Sequence, residues 1–449
     1  MKVKMRKTLT AAAALLLVLS AGGQTMTLKD CMQYAITNSI DVRTRQSETG
    51  DARIDHRDAI LQAFTPTVEG STYGYYRWGR SIDPETNTYV TTTSLNNGWS
   101  VSAGINLFDG FSAINNIKIA KTSLSLGFSE ETQEEDKVCL ATMEAYFNVV
   151  YYNELINILQ EQVDNAQSAL ALATRQEELG ARGHADVIQM KADLADRQYE
   201  LTSARNSYDD ALITLEDIML WPLDETLVID TDLVGLEAAA EEAGSVEDII
   251  ENAKGFLPSV AIAKGTLDKA QFALNTAKWQ FSPTLSLYGG WSTSYYTYPG
   301  LAGYTPSPYW DQFRNNGGEY VELVLSIPIY DRLSRFSRVS RRKSDYNRAN
   351  MQYEKALRDV ESEVRRAVQD RDGAEAALQQ AQRRAEVQDE AFRLNSRKYE
   401  QGLISAIEYN TASGNHLKAR AEELNALLKY QLKRRIVDYY NGIRYIDQK

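Results

Sequence analysis

Three histidines, two cysteines and many carboxylates are the side chains here with chemistry to offer, and their spacing offers little. His56, His184 and His416 are far apart in the chain, with no metal-ligand spacing among them, and neither a glycine-rich phosphate loop nor a nucleophile-elbow motif occurs. The 61 Asp and Glu residues are interspersed with 49 Lys and Arg along charged helical stretches, so adjacent carboxylates carry no acid–base signal. Cys31 and Cys139 have the chemistry to pair in an oxidising compartment. They fall on separate predicted helices with no spacing that favours contact, and both a disulfide and free thiols remain open. The pattern reads as a non-enzyme needing no cofactor.

What recurs is a glycine followed six residues later by a carboxylate. Gly180 with Asp186 returns as Gly402 with Glu408, and Phe108-Asp109 returns as Tyr330-Asp331, both at an offset of 222 residues. Phe64-Thr65-Pro66-Thr67 matches Phe281-Ser282-Pro283-Thr284 at an offset of 217, so the length change falls between the proline and the aromatic. The chain is therefore two tandem copies of one unit, each a β-hairpin set between long helices.

The elements that position those glycines are long. From Phe336 to Tyr399 there is no proline, and Tyr353, Leu357, Val360, Val364, Ala367, Ala374, Leu378, Ala381 and Ala385 form a heptad stripe, with Arg371 in one seam position. The alanine-rich seam predicts close backbone approach. The first copy repeats this from about 114 to 178 with Leu140, Met143, Phe147, Val150, Leu155, Ile158 and Leu159. Each helix is expected to run about 95 Å at 1.5 Å per residue. Shorter return helices are predicted over 186–220 and 405–440, with further helices over 28–63 and 246–280. Two half-length helices then retrace each long one, leaving 221–245 and 441–449 as a belt at mid-height. Two ordinary four-helix bundles are the competing arrangement, but bundles would not need the hairpins.

Strands are expected at 66–78, 99–108, 283–296 and 320–330. Trp99, Val101, Ala103, Ile105 and Leu107 alternate with Ser100, Ser102, Gly104 and Asn106, and Val321, Leu323, Leu325, Ile327 and Ile329 alternate with Glu322, Val324 and Ser326. An apolar face backed by a mainly polar one suits a transmembrane barrel with a wet interior. Gly70 and Gly74 weaken the first strand by occupying its apolar register. Twelve of 26 tyrosines and four of six tryptophans lie in 66–108 and 283–330, a fifth of the chain, as interfacial girdles require. The linkers 79–97 and 297–318 are expected to be long outward loops. Four strands cannot close a barrel in lipid, so chains must pool them. Two chains give eight strands and a filled interior, whereas three give twelve and room for a passage.

Lys2, Lys4, Arg6 and Lys7 precede an apolar run from Ala11 to Ser20 and the small residues Ala21-Gly22-Gly23, the layout of a secretory signal cut near Gln24. That run is shorter than the roughly 20 residues a spanning anchor needs. Removing its four basic residues takes the net charge from −12 to −16, which argues against nucleic acid as a partner. The expected layout is a signal peptide at 1–23, repeat 1 at 24–230, a belt segment at 221–245 and repeat 2 at 246–449.

Taken in order, Phe64-Thr65-Pro66 and Phe281-Ser282-Pro283 leading into strands, Asn106-Leu107-Phe108-Asp109-Gly110 and Ile327-Pro328-Ile329-Tyr330-Asp331 leaving them, and the duplicated tip glycines resemble the TolC family of outer-membrane efflux channels over essentially the whole mature length. Gly79-Arg80-Ser81-Ile82-Asp83-Pro84 with Thr86-Asn87-Thr88 also looks like members from Bacteroidetes. The resemblance implies a mainly α fold with a membrane β-barrel: a long α-helical barrel plus four strands per chain, completed as a 12-stranded barrel in a homotrimer. It implies a place in the outer membrane of a Gram-negative bacterium, extending into the periplasm. It also implies a passive exit duct opened by a periplasmic adaptor and an inner-membrane pump of the RND or ABC type. A non-conducting trimeric stalk is the alternative.

By the same resemblance, Leu179-Gly180-Ala181 and Gln401-Gly402-Leu403 dock the adaptor, although the second motif departs from the usual Val-Gly. Glu408 matches a pore-constricting acidic ring whose second acidic position is Thr411 here. Asp186 and Tyr399 match an inter-helix latch whose arginine is replaced by Ile404, with Arg182 of the other tip expected to substitute. Solvated surface carboxylates are the plain alternative for Asp186 and Glu408.

Overall fold

The structure, a computed structural model, describes residues 25–82, 87–231 and 244–448. The predicted signal at 1–23 and residues 232–243 of the belt segment 221–245 lie outside the described residues. In chain order the elements are α1 (Leu28–Asn38), α2 (Ile40–Phe64), β1 (Thr67–Ile82), β2 (Tyr89–Phe108), α3 (Ser112–Glu178), α4 (His184–Met219), α5 (Val246–Phe256) and α6 (Pro258–Trp279). Then follow β3 (Thr284–Thr297), α7 (Tyr309–Asn315), β4 (Gly318–Ser326), α8 (Ser334–Glu400), α9 (Ala406–Tyr440) and a 3-10 turn at Tyr445–Asp447.

Two compact units are present. One comprises 1–47, 129–261 and 355–449, the other 48–128 and 262–354. The first is helical. The helices α3 and α8, 67 residues each, start from counterpart positions of the two copies and contain no proline. The heptad stripe packs as expected, because Val360, Val364, Ala367, Ala374, Leu378 and Ala385 are all buried. The return helices α4 and α9 have 36 and 35 residues. Two helices predicted as continuous are broken. Ser39 separates α1 from α2, its hydroxyl accepting the Val42 N–H, and Pro258 opens α6 at a first-turn position where its missing N–H costs nothing.

At the end of α4, Leu220 turns left-handed (φ 53) and Trp221 packs on Tyr34 with ring centroids 4.8 Å apart. A parallel bridge pairs Met26 with Ile229, tying the start of the belt segment to the chain's first described residues. Arg444 bridges Glu135 and Asp136, and Tyr445 stacks on Tyr439 at 4.4 Å, so the carboxyl-terminal turn is fastened to α3 and α9. Cys31 and Cys139 are both buried free thiols, each pushed up to about 12 chiefly by burial.

The second unit holds one antiparallel sheet in the order β1-β2-β3-β4, the two copies joined by the β2–β3 pairing. Its register separates two faces. Val68, Ala103, Gly289 and Val321 share one row, and the neighbouring row is Thr67, Gly104, Tyr288 and Glu322. Val321, Leu323 and Leu325 on the apolar face are 83%, 62% and 60% exposed, which water would not favour and lipid would. Ser71, Ser100 and Ser292 line up on the polar face. Gly70 and Gly74 do stand in the apolar register. Among the described residues no helix is long and apolar enough to cross a membrane.

Three strand expectations need correction. The stretch 79–97 is mostly strand, since β1 runs to Ile82 and β2 begins at Tyr89, because its threonines and tyrosine favour the pleat over a loop. The linker 297–318 contains α7. Its buried Gln312 accepts the Tyr296 N–H at 3.0 Å and donates to the Tyr296 carbonyl at 2.9 Å, replacing the ladder partner that β3 lacks there. Finally, β4 ends at Ser326, before Pro328 removes the donor that a strand continuing to Tyr330 would need.

Candidate functional site

Both long helices end in the same hydrogen-bonded turn. At the first, the Ala181 N–H donates to the Gln176 carbonyl and the Gly180 N–H to Glu177, each at 2.8 Å; at the second, Leu403 donates to Lys398 at 2.8 Å and Gly402 to Tyr399 at 3.0 Å. This double bond pattern with a left-handed residue at its centre is the Schellman cap. Gly180 and Gly402 supply it with φ of +68° and +72°. A Cβ at either position would meet nothing within 4 Å, so it is the backbone conformation that requires glycine. Leu179 and Leu403, each 68% exposed, project beside these turns together with exposed Ala181 and Gln401.

Beyond the turns the copies diverge. Ser405 is the N-cap of α9 and forms a capping box with Glu408: the Glu408 N–H donates to Ser405 Oγ, and Glu408 Oε2 accepts the Ser405 N–H at 2.8 Å and its hydroxyl at 2.9 Å. The Ser405 backbone N–H, then its hydroxyl, hold the Glu408 carboxyl below the usual carboxylate range. The Ser-x-x-Glu spacing makes this cap legible in sequence, beside the pore-ring role expected of the same carboxylate. In the first copy the equivalent N-cap is Gly183, which offers no side chain. Asp186 therefore lacks a capping partner, and His184 Nδ1 meets Glu177 Oε1 at 2.7 Å instead.

Of the residues expected to form a latch, Arg182 and Tyr399 are in contact. The Arg182 guanidinium lies over the Tyr399 ring, with Cζ 4.0 Å from the centroid, and Nη2 donates to the Tyr399 carbonyl at 3.2 Å. Gln176 Nε2 donates to the Glu400 carbonyl at 3.3 Å, a second tie between the tips. Asp186 does not join them: among the described residues its carboxylate makes no hydrogen bond or ion pair, and it acts on Tyr399 through its charge alone. Burial raises the Tyr399 phenol above its ordinary value, Arg182 opposing and Asp186 reinforcing the shift. Tyr399 is 1% exposed, stacks on Tyr409 at 4.7 Å and belongs to a core with Ala169, Ala173, Val187, Met190 and Ala406.

Further along lies a polar layer that the sequence reading did not single out. Ser413 Oγ donates to Gln162 Oε1 at 2.9 Å, and Gln162 Nε2 sits 3.2 Å from His416 Nδ1. If Gln162 donates there, the neutral imidazole keeps its proton on Nε2, which lies 3.2 Å from Asp389 Oδ1, off the axis of a full hydrogen bond. Burial lowers the His416 pKa, with Asp389 opposing and Arg420 adding to the shift. The layer joins α3, α8 and α9. Close by, Arg197 pairs with buried Asp193 at 3.4 Å and with Glu200 at 3.0 Å on α4.

What these elements offer is a two-faced sheet and capped, apolar helix tips. A sequence profile described as Outer membrane efflux protein matches residues 40–219 and 249–436, one segment per copy. The chain belongs to the outer membrane efflux protein family. It is a non-enzymatic channel protein of the outer membrane, spanning into the periplasm; channels of this family form trimers, so four strands per chain make a twelve-stranded barrel. It is similar to the pyoverdine export outer membrane protein OpmQ of Pseudomonas aeruginosa, with 22% identity over 392 residues covering 85% of this chain and 78% of the relative. Its fold matches the crystal structure of CusC (TM-score 0.78, 16% identity, 94% and 92% of the two chains). It also matches the open state of the Neisseria gonorrhoeae MtrE outer membrane channel (TM-score 0.73, 17% identity, 94% and 91%).

Proposed function

We propose that the protein is the passive exit duct of a tripartite efflux or type I secretion system, opened when a periplasmic adaptor and an inner-membrane pump of the RND or ABC type engage it. The observation that carries this reading is the division of the sheet into a serine-rich and an apolar face: water on one side and lipid on the other is what a conducting wall requires. The layout that goes with it is a signal peptide at 1–23, repeats at 24–230 and 246–449, and a belt at 221–245.

In this reading Leu179-Gly180-Ala181 and Gln401-Gly402-Leu403 dock the adaptor. The exposed leucines offer apolar anchors, and the glycine caps leave backbone accessible. Arg182 and Tyr399 hold the resting state, Asp186 biases it through charge, and Glu408 gives cation preference while also capping α9. The purified protein reconstituted in planar bilayers should form trimers with ion conductance, and should restore export in a strain deleted for its own outer-membrane channels when paired with its adaptor and pump. Trimers that never conduct would favour a structural stalk and sink the duct.

A further inference from the structure

The polar face of the sheet changes sign along its length. Near the helix-bearing end it carries Glu69 on β1 and Glu322 on β4. Eight residues further along β1, about 26 Å at the strand rise, Arg77 occupies the same face opposite Ser94. Beyond it Gly79 adopts φ +120°, and Arg80 and Tyr89 line the same space as Arg77. The result is a cleft of about 390 Å³ lined by Tyr75, Arg77, Arg80, Tyr89, Tyr296 and Tyr298. The Arg80 guanidinium lies 4.3 Å from the Tyr89 centroid. Among the described residues, neither Arg77 nor Arg80 has a carboxylate partner. In a chain of net charge −12, two guanidiniums among tyrosine rings are an unusual concentration of one chemistry.

We propose that this cleft is a transit site for small organic anions that carry an aromatic ring. A carboxylate or sulfonate is gripped by the planar forks of Arg77 and Arg80, while the ring packs against the tyrosines. The inference rests on the duct reading, and the site belongs to its outer half. Both arginines are exposed, so the grip is weak, as a conducting path needs: a solute must bind well enough to enter and loosely enough to leave.

The test is calorimetric titration of naphthalene-1-sulfonate into the detergent-solubilised protein. Saturable millimolar binding is expected, weakened at least tenfold in the Arg77→Gln/Arg80→Gln double variant, with 1-naphthylmethylamine not binding and inorganic phosphate binding more weakly than the sulfonate. Equal binding to the double variant, or to the cationic analogue, overturns the proposal, and phosphate binding as tightly as the sulfonate overturns its aromatic part. Conductance of the same preparation separates the two ideas: a conducting protein that does not bind sinks the cleft alone, whereas a binding protein that does not conduct sinks the duct.

Discussion

Replacing Arg182 by glutamine removes a cationic contact that the structure places across the two tips. Its guanidinium lies 4.0 Å from the centroid of a ring that is 1% exposed, and a cation–π contact shielded to that degree contributes about 1–2 kcal/mol. The 3.2 Å hydrogen bond to the Tyr399 carbonyl, long for a charged donor, adds about 1 kcal/mol. A loss of roughly 2–3 kcal/mol moves a two-state equilibrium by about 30- to 160-fold. Arg182→Gln should therefore raise the resting conductance of single trimers in planar bilayers well above wild type. Arg182→Lys should fall between, keeping the charge and losing the guanidinium fork. Asp186→Ala should also raise conductance, by less, because no bond is lost with it. If Arg182→Gln trimers keep wild-type conductance, the Arg182–Tyr399 contact does not hold the resting state and the reasoning fails.

Gly180→Ala and Gly402→Ala should each destabilise a tip by about 1–2 kcal/mol, since a Cβ there meets no atom and only the left-handed backbone is penalised; local hydrogen exchange across the turn would show it. Ser405→Ala should cost about 1 kcal/mol and fray the first turn of α9 in the same measurement, with no counterpart for Gly183→Ala in the other copy. The lowered pKa of His416 means that the unfolded chain binds its proton more readily than the folded one. Stability should therefore be full above the ordinary histidine value of 6.5 and fall as pH drops below it. Thermal melts between pH 7.5 and 5.5 should show that slope flattened in His416→Gln. Gly290→Ala should impair barrel assembly, judged by the yield of heat-resistant trimers, because its Cβ would fall 2.7 Å from the Val101 carbonyl oxygen.

The long helices and the sheet were legible because their signals are periodic and local. A seven-residue alanine seam without proline permits little but paired helices, and alternating valines opposite serines permit little but a two-faced sheet. The tip turns were legible for the same reason, as glycines at matching offsets in two copies. The breaks at Ser39 and Leu257, the helix α7 and the ends of β1, β2 and β4 depend on which backbone groups find partners at longer range, as Gln312 does with Tyr296. The tip residues Arg182, Asp186 and Tyr399 were readable as a set of types, but which of them touch was not: Arg182 has the reach to cover a buried ring, whereas Asp186 meets Tyr399 only through its charge. The Gln162–His416 layer gave no signal, since its members sit 254 residues apart in heptad positions that read as ordinary packing.

The unequal finish of the two hairpins has a mechanical corollary. In one, serine and glutamate clamp the first turn of the returning helix; in the other, a bare glycine leaves that turn to a histidine and a glutamate on opposite arms. A ring built from three such chains presents six tips of similar outline in two grades of stiffness, alternating around the rim. Any traction applied evenly to that rim would be taken up first by the three compliant tips, so the ring would yield in a three-cornered pattern before its stiffer members moved.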